Sequence, residues 1–531
     1  MGSVAWGNTT SHDTSASVSI PSRLVVVMSH KKVVLQGMDQ APTVLSTKDA
    51  SLSSSPLTGD EVSHFSSSYS SYCGPTPTSV LDSAASPVEP ADFWWREVGS
   101  RTNHLLALCG YSQDAIDQHA QFIRSYIIPA LGNPPTISSA TGLLVPTFPS
   151  YMCDDYSPIE YGIAWTKPDK PCPRFAIEAI SPSHILETTG GNNLTASYQL
   201  MNQLEAGGHA DFTLFRKLVS LLTIDLPASR AMYGCAVKSQ IFFGFDLTDG
   251  DPRAENEKDR HPRAKVKAHV MPWLKAHQFG LDAGELLLET LESGDLPHSS
   301  CAAMRLVCGY LRSLKGASRP EPCILSVDAH ADDPRLKLYV RFRTVDFHEI
   351  LAHLTLGDRL KTTDWITPLR RFWELTLGHD PLSTADTKDA ADATMRHLTG
   401  GTLLYYDLKP GEDLPHSKIY LPVRHWADDD ASVAEGLQQF LDEAKQRNNA
   451  QPTTAAAETA KVSVSTSIRY PDVLRKAFEQ DETTFQGKEG GCATTGKGRR
   501  RLRQNYVSLG SKADGTFTVT VYISPQLFAG Q

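Results

Sequence analysis

Hydrophobic and polar residues alternate strictly along the stretch from Arg335 to Phe342. Successive side chains of a β-strand point to opposite faces, so this pattern predicts a strand with one apolar and one polar face. The apolar face would carry Leu336, Leu338, Val340 and Phe342. The polar face would carry three cations and a phenol, at Arg335, Lys337, Tyr339 and Arg341. One such strand is typical of an antiparallel sheet with a solvated face, so it indicates no function alone.

Further strand-like stretches pair along the chain, and strands joined by short or flexible loops favour antiparallel hairpins. Cys323–His330 pairs in this way with the stretch Arg335–Phe342 described above. The other pairs are Pro158–Trp165 with Pro173–Ile180, Ser239–Leu247 with Ala264–Pro272, Thr402–Leu408 with Ser417–Val423, and Leu502–Leu509 with Thr516–Ser524.

Stretches with helical spacing of apolar residues separate the predicted hairpins. A helical pair is expected over Asp92–Leu131, with Asp92 as an N-cap. Gly110 would end its first helix and Ser112 would begin the second. Later helices are predicted over Phe212–Leu222, Gly284–Glu292, Ala303–Leu314, Phe347–Gly378 and Ser432–Gln446.

The order of these elements, about five helix–helix–strand–strand units, predicts an α+β fold. About ten antiparallel strands would leave aggregation-prone edges unless the sheet closed. We therefore expect a closed antiparallel β-barrel surrounded by a ring of α-helices, wide enough to hold a ligand chamber. This domain is assigned to residues 91–531. Residues 1–90 are rich in Ser, Thr and Pro, which predicts a disordered tail because little apolar surface can be buried.

Cations recur on the polar face of the second strand in each of the first four predicted hairpins. In chain order, the first of these faces carries Arg174, and the second carries Lys265, Lys267 and His269. The third is the stretch Arg335–Phe342 described above, and the fourth carries Lys418, Tyr420 and Arg424. The apolar faces must pack on the helices, which turns the cations and rings into the barrel. Like charges in one chamber repel unless an anion is present, so we expect a multiply charged ligand, most simply a diphosphate. The rings could stabilise a cation beside it; the alternative is a solvated sheet with ordinary surface charge.

Composition and net charge limit the classes of binding partner and the cellular compartment that are expected. The 531 residues are 40% hydrophobic and 21% charged, as in an ordinary globular protein. A net charge of −9 argues against nucleic acid or an anionic membrane as the main partner. Nine cysteines without a CxxC pair indicate free thiols in a reducing compartment. No apolar run approaches membrane-spanning length, so a cytoplasmic protein is expected.

Two motif-like stretches indicate no separate function. Gly491–Gly498 lacks the Ser or Thr that follows the lysine of a P-loop, and Gly496–Arg503 is typical of a solvated basic loop. The run Asp428–Asp430 is contiguous, unlike the DDxxD pattern that holds magnesium, and it predicts a helix start. No metal is therefore expected.

Several stretches together resemble the aromatic prenyltransferases of the tryptophan dimethylallyltransferase family, whose fold is the ABBA prenyltransferase barrel. They are Phe93–Gly99, Pro129–Gly132, Ser157–Trp165, Pro173–Ile180, Lys265–Pro272, Asp333–Phe342 and Ser417–His425. The resemblance covers nearly everything except the tail.

The resemblance implies roles for individual residues. Glu160 would accept a hydrogen bond from the indole N–H and orient the acceptor. The diphosphate would be bound by Arg174, Lys267, Arg335, Lys337 and Lys418. Tyr339, Tyr420 and Tyr506 would shield the dimethylallyl cation.

Two positions depart from the family pattern. His269 stands where the family usually has another tyrosine of the shield, and it is a candidate for either a shield residue or a general base. Phe242 stands where members that prenylate C4 of tryptophan have a lysine base, four residues before Asp246. A cyclic dipeptide, another indole alkaloid or a phenolic compound therefore remain open as acceptors beside tryptophan.

The expected activity is transfer of a dimethylallyl group from dimethylallyl diphosphate to an indole-containing or related aromatic acceptor in alkaloid biosynthesis. It would be a metal-independent Friedel–Crafts alkylation without a cofactor. The partners would be these two small molecules, with a homodimer as one possible assembly. Alternatives are a transferase that uses another diphosphate-linked donor, and a non-catalytic binding protein for a phosphorylated small molecule.

Overall fold

The computed structural model describes residues 89–528 and, nearer the N-terminus, the backbone of three short strands. Within 89–528 it leaves out 168–169, 189–190, 192, 226–236, 251–256, 258–259, 298–300, 317–318, 331–334, 344–345, 361–362, 383–399, 451–467, 480–501 and 512–515. Two units divide the chain, Met1–Ser66 and Ser67–Gln531. Strands β1 (Val25–Ser29), β2 (Lys32–Gln36) and β3 (Thr43–Val44) pair antiparallel in the first unit. Otherwise the predicted tail, like Gly491–Gly498, lies outside the described residues.

The second unit is built on a closed barrel of ten strands in chain order, each antiparallel to its neighbours. A two-stranded hairpin, β4 (Thr136–Ile137) and β5 (Leu144–Val145), precedes it. The barrel strands are β6 Ile159–Lys167, β7 Lys170–Ile177, β8 Ile241–Thr248, β9 Arg263–Val270, β10 Glu321–Asp328, β11 Leu336–Phe342, β12 Thr402–Leu408, β13 His416–Leu421, β14 Gln504–Ser511 and β15 Phe517–Ile523. The ring closes where β15 pairs with β6. All ten predicted strands and the closed barrel are confirmed.

Helices surround the barrel, as predicted. They are α1 Pro90–Trp94, α2 Arg101–Leu108, α3 Gln113–Phe122, α4 Ser183–Thr188, α5 Leu194–Ala206, α6 Thr213–Leu222, α7 Trp273–Phe279, α8 Ala283–Glu292, α9 Ala302–Ser313, α10 Phe347–Leu354, α11 Thr363–Leu377, α12 Val423–Trp426, α13 Asp430–Ala450 and α14 Tyr470–Leu474. Short π-helical turns follow α1, α3 and α14, and a 3₁₀ turn ends at Leu131. None of the helices in the described residues is both long and apolar enough to cross a membrane.

Local side-chain chemistry sets several helix starts. The Ser112 hydroxyl accepts a hydrogen bond from the Ala115 N–H at 3.2 Å, which caps α3 as predicted. Asp282 and Asp346 cap α8 and α10 in the same way. Asp429 accepts from the Ser432 N–H at 2.8 Å, so the aspartate run does begin a helix.

Three local predictions are corrected. Asp92 is not an N-cap, because α1 begins two residues earlier at Pro90 and Asp92 lies in its first turn. The single helix expected over Phe347–Gly378 is two helices, separated by a turn in which Leu356, Gly357 and Asp358 have positive φ. Arg424 does not continue the inward face of β13, because that strand ends at Leu421 and Arg424 lies in α12, paired with Asp154.

Apolar side chains form one layer outside the barrel and a smaller cluster inside it. The outward side chains of β11, Leu336, Leu338 and Val340, are fully buried in the main core together with residues of the helices. A second cluster contains Met271, Ile324, Leu403 and Tyr420, with further tyrosines packed against it. The barrel therefore has its structural core on the outside, which leaves the inside free for a ligand chamber.

The close approach of α11 and α13 depends on Gly436. A Cβ atom there would lie 1.7 Å from the Leu375 carbonyl oxygen of α11, a backbone atom that cannot move aside cheaply. Gly309 in α9 is also helical, but a Cβ atom there would meet nothing within 4 Å.

These two glycines allow a matched test of stability. We expect Gly436→Ala to lower the free energy of unfolding by about 1–3 kcal/mol through overpacking. Gly309→Ala should raise it by about 0.5–1 kcal/mol, since alanine is the better helix former. Denaturant unfolding followed by circular dichroism measures both. A similar change in the free energy of unfolding of the two variants would contradict the close packing of α11 on α13.

Candidate active site

The barrel encloses a cavity of about 180 Å³, lined by the inward faces of its strands. Nine of the ten predicted site residues line it: Glu160, Arg174, Lys267, His269, Lys337, Tyr339, Lys418, Tyr420 and Tyr506. The tenth, Arg335, is on the same face of the chain as Lys337, but its side chain is 39% exposed whereas that of Lys337 is 5% exposed. The structure therefore brings the predicted residues together, with Arg335 at a more open position.

Aspartates from the first strands of two hairpins are interleaved with the cations. Asp246 of β8 pairs with Lys267, and with Arg174 at 3.3 Å. Asp328 of β10 pairs with Lys337, and with Arg335 Nε at 2.8 Å. These carboxylates, which were not among the predicted site residues, offset part of the positive charge of the chamber.

The fixed charges shift the pKa values of the paired groups. Burial by itself would raise the pKa of Asp246, but Arg174 and Lys267 outweigh burial and lower that pKa to about 2. Burial also opposes ionisation of Asp328, yet Lys337, Lys267 and Arg335 hold its pKa well below the usual range. Both carboxylates are thus ionised at neutral pH and hold the cations in position before any ligand binds.

Lys418 differs from the other cations in its partner. Its Nζ donates to the Thr520 hydroxyl at 2.8 Å, across the barrel wall from β13 to β15. Burial, followed by the nearby charges of Arg174 and Lys267, lowers the pKa of Lys418 well below its ordinary value. A bound anion would reverse that effect by favouring the charged ammonium.

Three of the cations lie opposite a glycine on the neighbouring strand. Arg174 faces Gly162, Lys267 faces Gly244, and Lys418 faces Gly510 in the strand registers. A Cβ atom at Gly162 would lie 3.0 Å from the Arg174 Cγ, and one at Gly510 would lie 3.2 Å from the Lys418 Cγ. At Gly162 and Gly510 the missing side chains leave room for the stems of Arg174 and Lys418 to lie along the inner wall.

Aromatic rings form a continuous group next to the cations. The Tyr339 ring centroid lies 5.3 Å from that of Tyr405 and 6.0 Å from that of Tyr420. Tyr420 in turn lies 5.6 Å from Tyr522. Tyr405 and Tyr522 also line the chamber, although neither was predicted from the sequence as a site residue. The alternation along β12 and β15 could have identified these two tyrosines. On β12, for example, Tyr405 and Asp407 are two residues apart, and the side chains of both face inward.

His269 belongs to this ring group. It stacks on Phe242 with the ring centroids 4.1 Å apart and the planes 8° from parallel, and it lies 5.9 Å from Tyr339. Burial, reinforced by the charges of Lys337 and Lys267, lowers the pKa of His269 to about 3. The imidazole is therefore neutral at physiological pH and a weak base, which favours the shield interpretation over the general base.

Glu160 lies on β6, and its carboxyl group faces the same chamber. Its Oε1 accepts a hydrogen bond from the Asn505 Nδ2 at 2.7 Å. Burial raises the pKa of Glu160 to about 8, against the opposing effect of that hydrogen bond. Asn505 was missed from the sequence because a bulge between Gln504 and Tyr506 disturbs the alternation of β14.

The arrangement can bind a polyanion and a cation side by side and present them to an acceptor. Cationic side chains match the oxygens of a diphosphate. Aromatic faces stabilise an adjacent carbocation. No group of three His, Cys, Asp or Glu side chains within the described ranges is placed to hold a metal ion.

Comparisons with known sequences identify the family to which this chain is similar. A family model described as tryptophan dimethylallyltransferase matches residues 91–456. The chain is 29% identical over 359 residues to 4-O-dimethylallyl-L-tyrosine synthase of Claviceps purpurea, which covers 66% of this chain and 76% of that protein. It is 27% identical over 388 residues to a 7-dimethylallyltryptophan synthase of Aspergillus fumigatus, which covers 69% of this chain and 78% of that protein.

Solved structures agree on the fold. NotF in complex with brevianamide F and DMSPP is 22% identical, with a TM-score of 0.60 over 83% of this chain and 96% of that chain. AnaPT from Neosartorya fischeri is 18% identical, with a TM-score of 0.59 over 83% of this chain and 95% of that chain. Since the family model spans more than half of the sequence, the chain belongs to the tryptophan dimethylallyltransferase family of prenyltransferases.

Proposed function

We propose that the chambered site transfers a dimethylallyl group from dimethylallyl diphosphate to an aromatic acceptor of secondary metabolism. The observation that carries the proposal is the juxtaposition of the cations, the tyrosine group and Glu160 in one buried chamber. The curated relatives support it, since their names specify dimethylallyl products of tyrosine and tryptophan. A cytoplasmic location and a homodimer remain predictions from the sequence.

The first step is departure of the diphosphate. The bond between the allylic carbon and oxygen breaks, and its electron pair leaves with the diphosphate. Arg174, Lys267, Lys337 and Lys418, with Arg335 near the opening, stabilise the negative charge that develops on the leaving group. Because Asp246 and Asp328 hold several of these cations in place beforehand, little reorganisation accompanies the step.

The second step is capture of the allylic cation. The faces of Tyr339, Tyr405 and Tyr420 stabilise the positive charge, and their packing excludes water that would otherwise quench it. Ionised Glu160 accepts a hydrogen bond from an N–H or O–H of the acceptor and holds the electron-rich ring at attack distance. The acceptor supplies the electron pair of the new bond, and the proton that it then loses passes to the released diphosphate or to water.

We expect the reaction to need no metal, because cations of the protein take the charge-neutralising role. Purified protein should convert dimethylallyl diphosphate and an indole, cyclic dipeptide or phenolic acceptor to a prenylated product in the presence of EDTA, as read by mass spectrometry. Lys418→Met should lower turnover about 100- to 1,000-fold, since one cationic donor to the leaving group is lost. This variant leaves no carboxylate without its partner, because Lys418 bonds to Thr520.

Two results would contradict this proposal. Product formation that is abolished by EDTA and restored by magnesium would show that a metal neutralises the diphosphate. Binding of diphosphate without product from any acceptor, even with longer prenyl donors, would favour the binding protein.

The aromatic group should control the fate of the allylic cation. Tyr339→Leu removes a π face and opens space for water, so turnover should fall about tenfold and prenyl alcohol should appear beside the prenylated product. Tyr339→Phe keeps the ring and should form little alcohol. Chromatography of both products measures the ratio. Equal alcohol formation by the two variants would argue against shielding by the ring.

The raised pKa of Glu160 predicts a pH dependence. Below about pH 8 the carboxyl group is protonated in the empty chamber, so the fraction of ionised acceptor-orienting carboxylate increases as the pH rises. The kcat/KM for the acceptor, which reports groups of the free enzyme, should rise through an apparent pKa near 8. Glu160→Gln should be slower and lack this rise. The same rise in the Gln variant would assign the ionisation to another group.

A further inference from the structure

Arg341 is a buried cation that the mechanism above does not use. It is the last inward residue of β11, after Lys337 and Tyr339, and it lines the chamber. Arg341 is four positions along the extended strand from Lys337, a distance of roughly 13 Å. Arg341 therefore lies beyond the aromatic group, away from the residues proposed to bind the diphosphate, with only 2% of its surface exposed.

The hydrogen-bond partners of Arg341 are all neutral. Its Nη1 donates to the Gly400 carbonyl oxygen at 2.9 Å and to the Tyr506 hydroxyl at 3.2 Å, and its Nη2 donates to the Tyr151 hydroxyl at 3.1 Å. Burial raises the pKa values of both phenols, so they do not supply a negative charge at neutral pH. Among the residues that the structure describes, no carboxylate forms an ion pair with Arg341, unlike Arg174, Arg335 and Lys337.

A purely structural role is already provided by a neighbour. Arg343 also donates to the Gly400 carbonyl oxygen, at 3.1 Å, and pairs with Glu321 at 3.3 Å. Holding this loop therefore does not require a second guanidinium inside the barrel. A buried cation without a carboxylate is costly, and the cost is removed when an anionic ligand binds.

Glu160 and Arg341 are both close to the same tyrosine. The pKa of Tyr506 is raised mainly by burial, while Arg341 lowers it and Glu160 raises it, so Tyr506 is within electrostatic reach of both. The acceptor end of the chamber thus presents a hydrogen-bond acceptor at Glu160 and a cation at Arg341. A ligand with a ring N–H or O–H and a separate carboxylate would satisfy both groups.

Resting on the proposed function, we propose that Arg341 binds the carboxylate of the acceptor, and that the acceptor is an aromatic amino acid rather than a neutral cyclic dipeptide. Arg341 is then a specificity-determining residue. Tyr151 and Tyr506 orient its guanidinium by accepting hydrogen bonds from it, and the carboxylate completes its set of partners.

The test compares matched ligands. Titration calorimetry should measure the Kd of L-tryptophan and L-tyrosine, of their methyl esters, and of a tryptophan-containing cyclic dipeptide. We expect the better amino acid to bind about 100-fold more tightly than its ester, since a buried pair is formed only with the acid. Ester and acid of equal affinity, or a preference for the cyclic dipeptide, would overturn the proposal.

Two variants then assign the preference to one side chain. Arg341→Gln should remove the difference between acid and ester and raise the KM of the acid about 100-fold, with the KM of dimethylallyl diphosphate little changed. Arg343→Gln is the matched control, because it loses the same Gly400 contact and should keep the preference. A preference that persists in Arg341→Gln, or that disappears in Arg343→Gln alone, would overturn the assignment.

This design separates the two proposals. Amino-acid binding that depends on Arg341, without any prenylated product, would uphold the carboxylate site and contradict the transferase reaction. Prenylation of neutral acceptors alone would uphold the transferase reaction and contradict the carboxylate site. If Arg341→Gln does not fold by circular dichroism, the comparison of acid with ester in the unaltered protein still decides.

Discussion

The register between neighbouring barrel strands is the constraint on which the site depends. Side chains alternate with a period of two, so a slip by one residue would turn Lys337 outward into the helix layer and bring Leu338 into the chamber. Closure fixes this register around the whole ring, because every strand is paired on both sides and β15 returns to β6. The apolar outward faces buried against the helices then hold each polar face inward.

Much of the fold and of the site could be predicted from the sequence because both follow from this alternation. The inward positions of Lys267, Tyr339 and Lys418 were found from the second strands of the hairpins. Asp246 and Asp328 obey the same rule on the first strands, but alternation alone does not identify them as partners of the cations. Their pairing also depends on cross-strand neighbours, such as Asp328 opposite Lys267, that one strand cannot reveal.

The remaining site features depend on interruptions of the alternation. A bulge in β14 lets Asn505 reach Glu160 although the adjacent Tyr506 also faces the chamber. The end of β13 at Leu421 places Arg424 in a helix, where it bonds to Asn505. Contacts between such residues follow from the tertiary structure, and the alternation of side chains along a single strand does not predict them. Helices α4, α5, α7, α12 and α14 were likewise not predicted from the sequence.

The pairing of the chamber cations with aspartates has a consequence for the end of the catalytic cycle. A ring of unopposed cations would hold inorganic diphosphate so tightly that its departure would limit the turnover rate. Asp246 and Asp328 instead compete with the product for the same ammonium and guanidinium groups. When the product leaves, Arg174, Lys267, Arg335 and Lys337 are still paired with these aspartates, so the empty enzyme does not expose a bare positive cluster.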